Sequence, residues 1–76
     1  MKIYELKPTD GRKSFYGKAQ VYVDFDGSET LYSYGTRIIT KYKDGTLEKL
    51  WDDWSATTGR HIKAFCGLNK AQYMAL

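Results

Sequence analysis

Side chains able to do acid–base, nucleophilic or metal chemistry are few in this chain, and they crowd into one stretch. Residues 51 to 68, WDDWSATTGRHIKAFCGL, hold the sole histidine, the sole cysteine and both tryptophans. His61 titrates nearest neutrality, which makes it the first candidate for proton transfer. It is followed by Ile62 and, four residues on, by Phe65, the spacing of an apolar helix face. His61 therefore reads as a packed, hydrogen-bonded histidine. Cys66 stands alone, which excludes an internal disulfide and a cysteine-based zinc cluster, and its place on the same face makes it a small core residue. Asp52 and Asp53 are the carboxylates nearest His61 in sequence, and paired aspartates before a helix ordinarily serve its cap and dipole. No metal site is read here and no cofactor is expected. GxSxG, HExxH, CxxC and Walker A patterns are all missing, so the chain reads as non-enzymatic.

Two binding chemistries remain. Ser55, Thr57, Thr58 and Arg60 combine hydroxyls, the N–H groups of a helix start and a guanidinium, which together suit a phosphate or carboxylate. Hydroxyls at that place are also what any helix cap requires, and Asp52 and Asp53 repel an anion from their side. The second chemistry lies on a sheet face. Tyr16, Lys18, Gln20 and Tyr22 share one side of a strand, with Tyr34, Arg37, Lys41 and Lys43 on the strand expected beside it. Tyrosines interleaved with cations are how β-platforms stack bases and track phosphates, and tyrosine is equally common in protein–protein contacts. Cross-strand Tyr and Lys pairing on a wet face needs no partner at all. Of the partners, a protein is the leading expectation, with nucleic acid as the alternative.

The elements that must position these residues follow from periodicity. Residues 1 to 13 read as an irregular lead-in, with room for a short edge strand at 2 to 6, because Pro8, Thr9, Asp10 and Gly11 favour a turn. From Phe15 the alternation Phe15, Gly17, Ala19, Val21, Val23, Phe25 marks an inward strand face, and small Gly17 and Ala19 leave space for a tryptophan or a helix. Asp26-Gly27 turns the chain into a run rich in Tyr, Thr and Ile from 30 to 43. Within it Gly35 is either a bulge or a break between two strands. Asp44-Gly45 is the strongest hairpin signal, leading to a strand at 46 to 51. A helix over 55 to 67 starts on hydroxyl caps and stops at Gly67. It buries Thr58, His61, Ile62, Phe65, Cys66 and Leu68 and turns Arg60 and Lys63 outward. Asn69 caps a short helix over 69 to 76. The prediction is an α+β fold: an antiparallel three- to four-stranded meander over 14 to 51, packed by one good helix and one short one.

Seventy-six residues make a single domain, which buries only about 60% of the surface its unfolded chain exposes. Seven Tyr, three Phe and two Trp supply the bulk for a core. A net charge of +3, from 12 Lys and Arg against 9 Asp and Glu, is too mild to argue for nucleic acid by itself. The first 17 residues interrupt their apolar character with Glu5, Lys7 and Asp10, so no signal peptide or membrane span is read. A soluble cytoplasmic protein is expected.

Three stretches, KSFYGKAQV (13 to 21), LYSYGT (31 to 36) and WSATTGRHIKAF (54 to 65), together resemble a family of small uncharacterised proteins from Gram-positive bacteria and their phages. In that family a KSFYGKA-like strand precedes an SYNT-like strand and an S-x-T-T-x-R-H-I-x-x-F-like segment. Ser55, Thr57, Thr58, Arg60, His61, Ile62 and Phe65 match the last pattern residue by residue. Gly35 stands where Asn is more usual. The resemblance implies a phage or mobile-element origin and, with it, a host or phage protein as the partner. It brings no established activity and no catalytic residue.

Overall fold

The computed structural model describes residues 2–7 and 17–76. Five strands, β1 (Lys2–Glu5), β2 (Ala19–Val23), β3 (Glu29–Ser33), β4 (Thr36–Lys41) and β5 (Leu47–Lys49), form one antiparallel sheet in sequence order. Two helices follow, α1 (Ala56–Cys66) and α2 (Lys70–Met74). The class is α+β as expected, but the sheet has five strands instead of three or four. Lys2–Glu5 pairs with β2, Ile3 opposite Tyr22 and Glu5 opposite Gln20, and the run expected at 30 to 43 is two strands.

Three tight turns set the register. Asp24 and Ser28 close the first, where the Asp26 carboxylate accepts from the Ser28 N–H at 2.9 Å and Gly27 takes a φ of 89°. Tyr42 and Thr46 close the last in the same way, with Asp44 accepting from the Thr46 N–H and Gly45 at a φ of 91°. Both are three-residue loops ending in a left-handed glycine. The turn begins directly after Val23, so alternation ends there and Phe25, expected inside, is 90% exposed. Between β3 and β4 only Tyr34 and Gly35 intervene, with φ of 52° and 81°, the signs of a type I′ turn. Gly35 is thus the break and not the bulge.

The bulge sits three residues further on. Tyr32 pairs with Arg37 but Leu31 pairs with Ile39, leaving Ile38 as an extra residue. Because side chains alternate with period two, one inserted residue exchanges the faces of everything beyond it. Ile38 and Ile39 are both fully buried as a result, Thr40 turns outward to meet Thr30 at 2.8 Å between hydroxyls, and Lys41 turns toward the helices.

Ser55 is the α1 cap, its hydroxyl accepting from the Thr58 N–H at 3.1 Å. Gly67 ends the helix at a φ of 78°, donating to the Lys63 carbonyl. The helix packs chiefly on β3 and β4 and buries Thr58, Gly59, His61, Ile62 and Phe65, while Cys66 and Leu68 are half-buried. Arg60, expected outward with Lys63, is half-buried. The aspartates do not cap: Asp52 pairs with Lys49 at 3.0 Å and Asp53 accepts from the Trp54 N–H. The close approach expected at Gly17 is found elsewhere. Gly17 has a φ of 74° with open space around the position of a Cβ, whereas a Cβ on Gly59 would lie 2.7 Å from Cε2 of the Trp54 indole. Both tryptophans are half-buried against the core of Ala19, Val21, Leu31, Ile39, Ile62 and Phe65. In α2, Asn69 and Gln72 form a reciprocal capping box. Five residues cannot hold a helix alone. Tyr73, fully buried, supplies the anchor by donating its hydroxyl to the carbonyls of Ile38 and Trp51, and its burial pushes the phenol up to about 12.

Candidate functional site

Both helices lie on one side of the sheet, so the outer face is uncovered among the described residues. The β2–β3 register places Tyr22 opposite Thr30 and Tyr32 opposite Gln20, which makes the two tyrosines diagonal neighbours. Their ring centroids are 4.2 Å apart with planes tilted by 38°. Arg37, directly opposite Tyr32 on β4, brings an exposed guanidinium beside them. Tyr22, Tyr32, Arg37, Asp24, Thr40 and Leu50 surround a shallow hollow of about 260 Å³ floored in part by Thr30. Ile3, across from Tyr22, and Leu50 extend this surface with exposed aliphatic area, 55% and 41% respectively. Among the described residues this face carries two rigid rings, one guanidinium and an apolar margin.

Only part of the expected Tyr and Lys set gathers here. Tyr22 and Arg37 do. Lys41 does not: beyond the bulge it lies on the helix side, its ammonium 4.9 Å from the Phe65 ring centroid and 3.6 Å from Glu29. Lys18 precedes β2 and holds its amino group 5.7 Å from the ring centroid of Tyr34, which stands at the β3–β4 turn. Tyr16 lies outside the described residues. Sequence reasoning missed Tyr32, Leu50 and Ile3 as members of this surface. Counting back from the Asp24–Ser28 closing pair puts Tyr32 diagonal to Tyr22, so that signal was present in the turn.

A second concavity, of about 370 Å³, opens between the β3–β4 turn and the start of α1. Ser33, Ile38 and Thr58 form its buried floor, and Trp51, Tyr34 and Thr57 stand around it. Ser55, Thr57 and Thr58 of the expected anion set therefore line one cleft, but Arg60 is not among its lining residues. The Ser55 hydroxyl is engaged by the Thr58 N–H, and the Thr58 hydroxyl lies 3.1 Å from that of Ser33. Behind the floor, Nδ1 of His61 is 2.8 Å from the Ser33 hydroxyl. His61 is 1% exposed, and burial, with the neighbouring Arg60 charge, holds its pKa below the ordinary imidazole value. This is the packed, hydrogen-bonded histidine its spacing predicts, joining α1 to β3 through hydroxyls. Cys66 donates weakly to the Ile62 carbonyl, and burial pushes its thiol up, away from the reactive thiolate. Among the described residues no cluster of three or more His, Cys, Asp or Glu is placed to hold a metal ion. No helix among them is long and apolar enough to cross a membrane.

No curated protein and no solved structure matches the chain. A family model does match, over residues 4–74, and its description is a family of unknown function, DUF8033.

Proposed function

The chain belongs to that family of unknown function, and from this premise we propose that it is a small, non-enzymatic interaction module that docks a protein partner through the open face of its sheet. The observation carrying this reading is the Tyr22–Tyr32 pair with Arg37 beside it, bordered by exposed Ile3 and Leu50. Aromatic rings and arginine at the centre of a patch are the residue types that dominate binding energy when water is excluded around them. The resemblance to small proteins of Gram-positive bacteria and their phages supports a cytoplasmic accessory role, with a host protein as the partner. A non-enzymatic reading is supported by His61, the residue best suited to proton transfer, being packed between helix and sheet with its Nδ1 committed to Ser33.

Nucleic acid is the second reading, favoured by the stacked tyrosines and Arg37. Against it, Asp24 lines the same hollow and Lys41 is turned to the opposite face, leaving little cationic surface among the described residues to track phosphates. One pair of experiments separates them. Affinity capture from a Gram-positive host lysate is compared between the parent and a Tyr22→Ala/Tyr32→Ala/Arg37→Ala variant that retains the parent circular dichroism. A prey recovered by the parent alone supports the protein interface, and identical preys defeat it. Titration of single-stranded and duplex oligonucleotides at low ionic strength is then expected to give no binding. Salt-sensitive binding lost in the triple variant would replace the protein reading with the nucleic-acid one.

A further inference from the structure

The cleft at the β3–β4 turn takes no part in the open-face surface, and its lining has a chemistry of its own. Ser33, Thr36, Ser55, Thr57 and Thr58 bring five aliphatic hydroxyls to one concavity, together with the Tyr34 phenol. They come from the β3–β4 hairpin and from the start of α1, which are separated in sequence and meet only in the fold. Trp51 adds a flat apolar wall and Ile38 an apolar patch of floor. The volume of about 370 Å³ lies within the range of small-ligand sites, roughly 300–1,000 Å³.

We propose that this cleft binds a monosaccharide ring, either free or as the terminal unit of a glycan. The exposed hydroxyls of Tyr34, Thr36, Ser55 and Thr57 can each donate and accept, so they match a ligand whose own rim is hydroxyls, each of which also does both. Trp51 matches the apolar C–H face of such a ring, as an amphipathic aromatic that buries area at little entropic cost. The charged residue expected for an anion does not support one here, because Arg60 is not on the lining. At the base, the Ser33 hydroxyl is held from two sides, by His61 Nδ1 at 2.8 Å and the Thr58 hydroxyl at 3.1 Å. That bonding fixes the floor before a ligand arrives, which limits the ordering cost of binding. Thr36 on β4 and Thr57 on α1 are exposed and supply the adaptable contacts.

The test is nuclear magnetic resonance of the isotopically labelled full chain, titrated separately with glucose, galactose, N-acetylglucosamine and inorganic phosphate. At least one sugar is expected to shift the Trp51 indole and the Thr36 and Thr57 amides saturably, with a dissociation constant on the order of 1 mM. Thr36→Val and Thr57→Val each remove one exposed hydroxyl without changing side-chain shape, and each should weaken that sugar about 3- to 10-fold. Both positions are exposed, so the variants keep the parent spectrum elsewhere. The proposal is overturned if none of the three sugars gives a saturable shift, if the shifts map to Tyr22 and Tyr32, if both valine variants bind as the parent does, or if phosphate alone perturbs the cleft.

Discussion

The two faces of the same five strands teach different lessons about what alternation can specify. On the helix side Val21, Leu31 and Ile39 stand opposite one another across three strands and are fully buried. There each side chain is enclosed by others, and burial is worth about 1.5–3 kcal/mol for a Val, Leu or Ile. On the outer side, one residue along each strand, Tyr22, Thr30 and Tyr32 remain half-exposed and meet each other in pairs. Energy on that side is local and modest, so the residue types there are free to serve recognition. The β4 bulge divides the two sets: it adds Ile38 to the buried face beside Ile39 and removes Lys41 from the open one.

The largest expected effect belongs to the helix side. Phe65→Ala should cost about 3–5 kcal/mol, much of the stability of a domain this small, and a thermal melt reads it directly. A parent-like melt would mean that α1 does not carry the core. Gly59→Ala should cost about 1–3 kcal/mol, because the new methyl overlaps the Trp54 ring and must displace it. Tryptophan emission shifting toward that of exposed indole would accompany the loss, and unchanged emission would place Trp54 elsewhere.

His61 adds a pH dependence to the same side. Its folded pKa is below its unfolded value of about 6.5, so the unfolded chain takes up a proton first as pH falls. Stability contributed by neutral, buried His61 is therefore fully present above about pH 6.5. It declines as pH drops from there toward the folded pKa, below which the slope ends. Melting temperatures measured from pH 8 downward should fall less steeply for His61→Asn than for the parent. Parallel curves would show that His61 is not the titrating group.

On the open face the effects shrink. A double-mutant cycle of Tyr22→Ala and Tyr32→Ala should give a coupling of about 0.5–1.5 kcal/mol, and no coupling would mean that the rings do not touch. Lys63→Ala, exposed on α1, should change stability by about 0.5 kcal/mol or less. A larger loss would put that helix face in a contact the fold does not show.

Much of this architecture was legible in local sequence because its causes are local. Ser55, Gly67 and Asn69 set helix ends through caps formed with their immediate neighbours. Asp26-Gly27 and Asp44-Gly45 turn the chain through side-chain bonds two residues long. The three-and-four spacing of Thr58, His61, Ile62 and Phe65 named the buried face of α1, and with it the packed histidine.

What only tertiary structure decided lies where a local choice depends on distant atoms. Tyr34 is a poor residue for a left-handed turn position, so nothing in its type announced that Tyr34-Gly35 would fold back into a separate strand. The bulge at Ile38 lets two successive isoleucines reach the core, and its carbonyl is bonded by Leu50, Trp51 and Tyr73, residues brought from the loop after β5 and from α2. Lys41 changed faces for that reason, since a period of two carries no memory of an inserted residue. The cleft, too, exists only once β3, β4 and the start of α1 meet. Its hydroxyls are helix caps and strand residues in the sequence, and they become one site through the packing of α1 against the sheet.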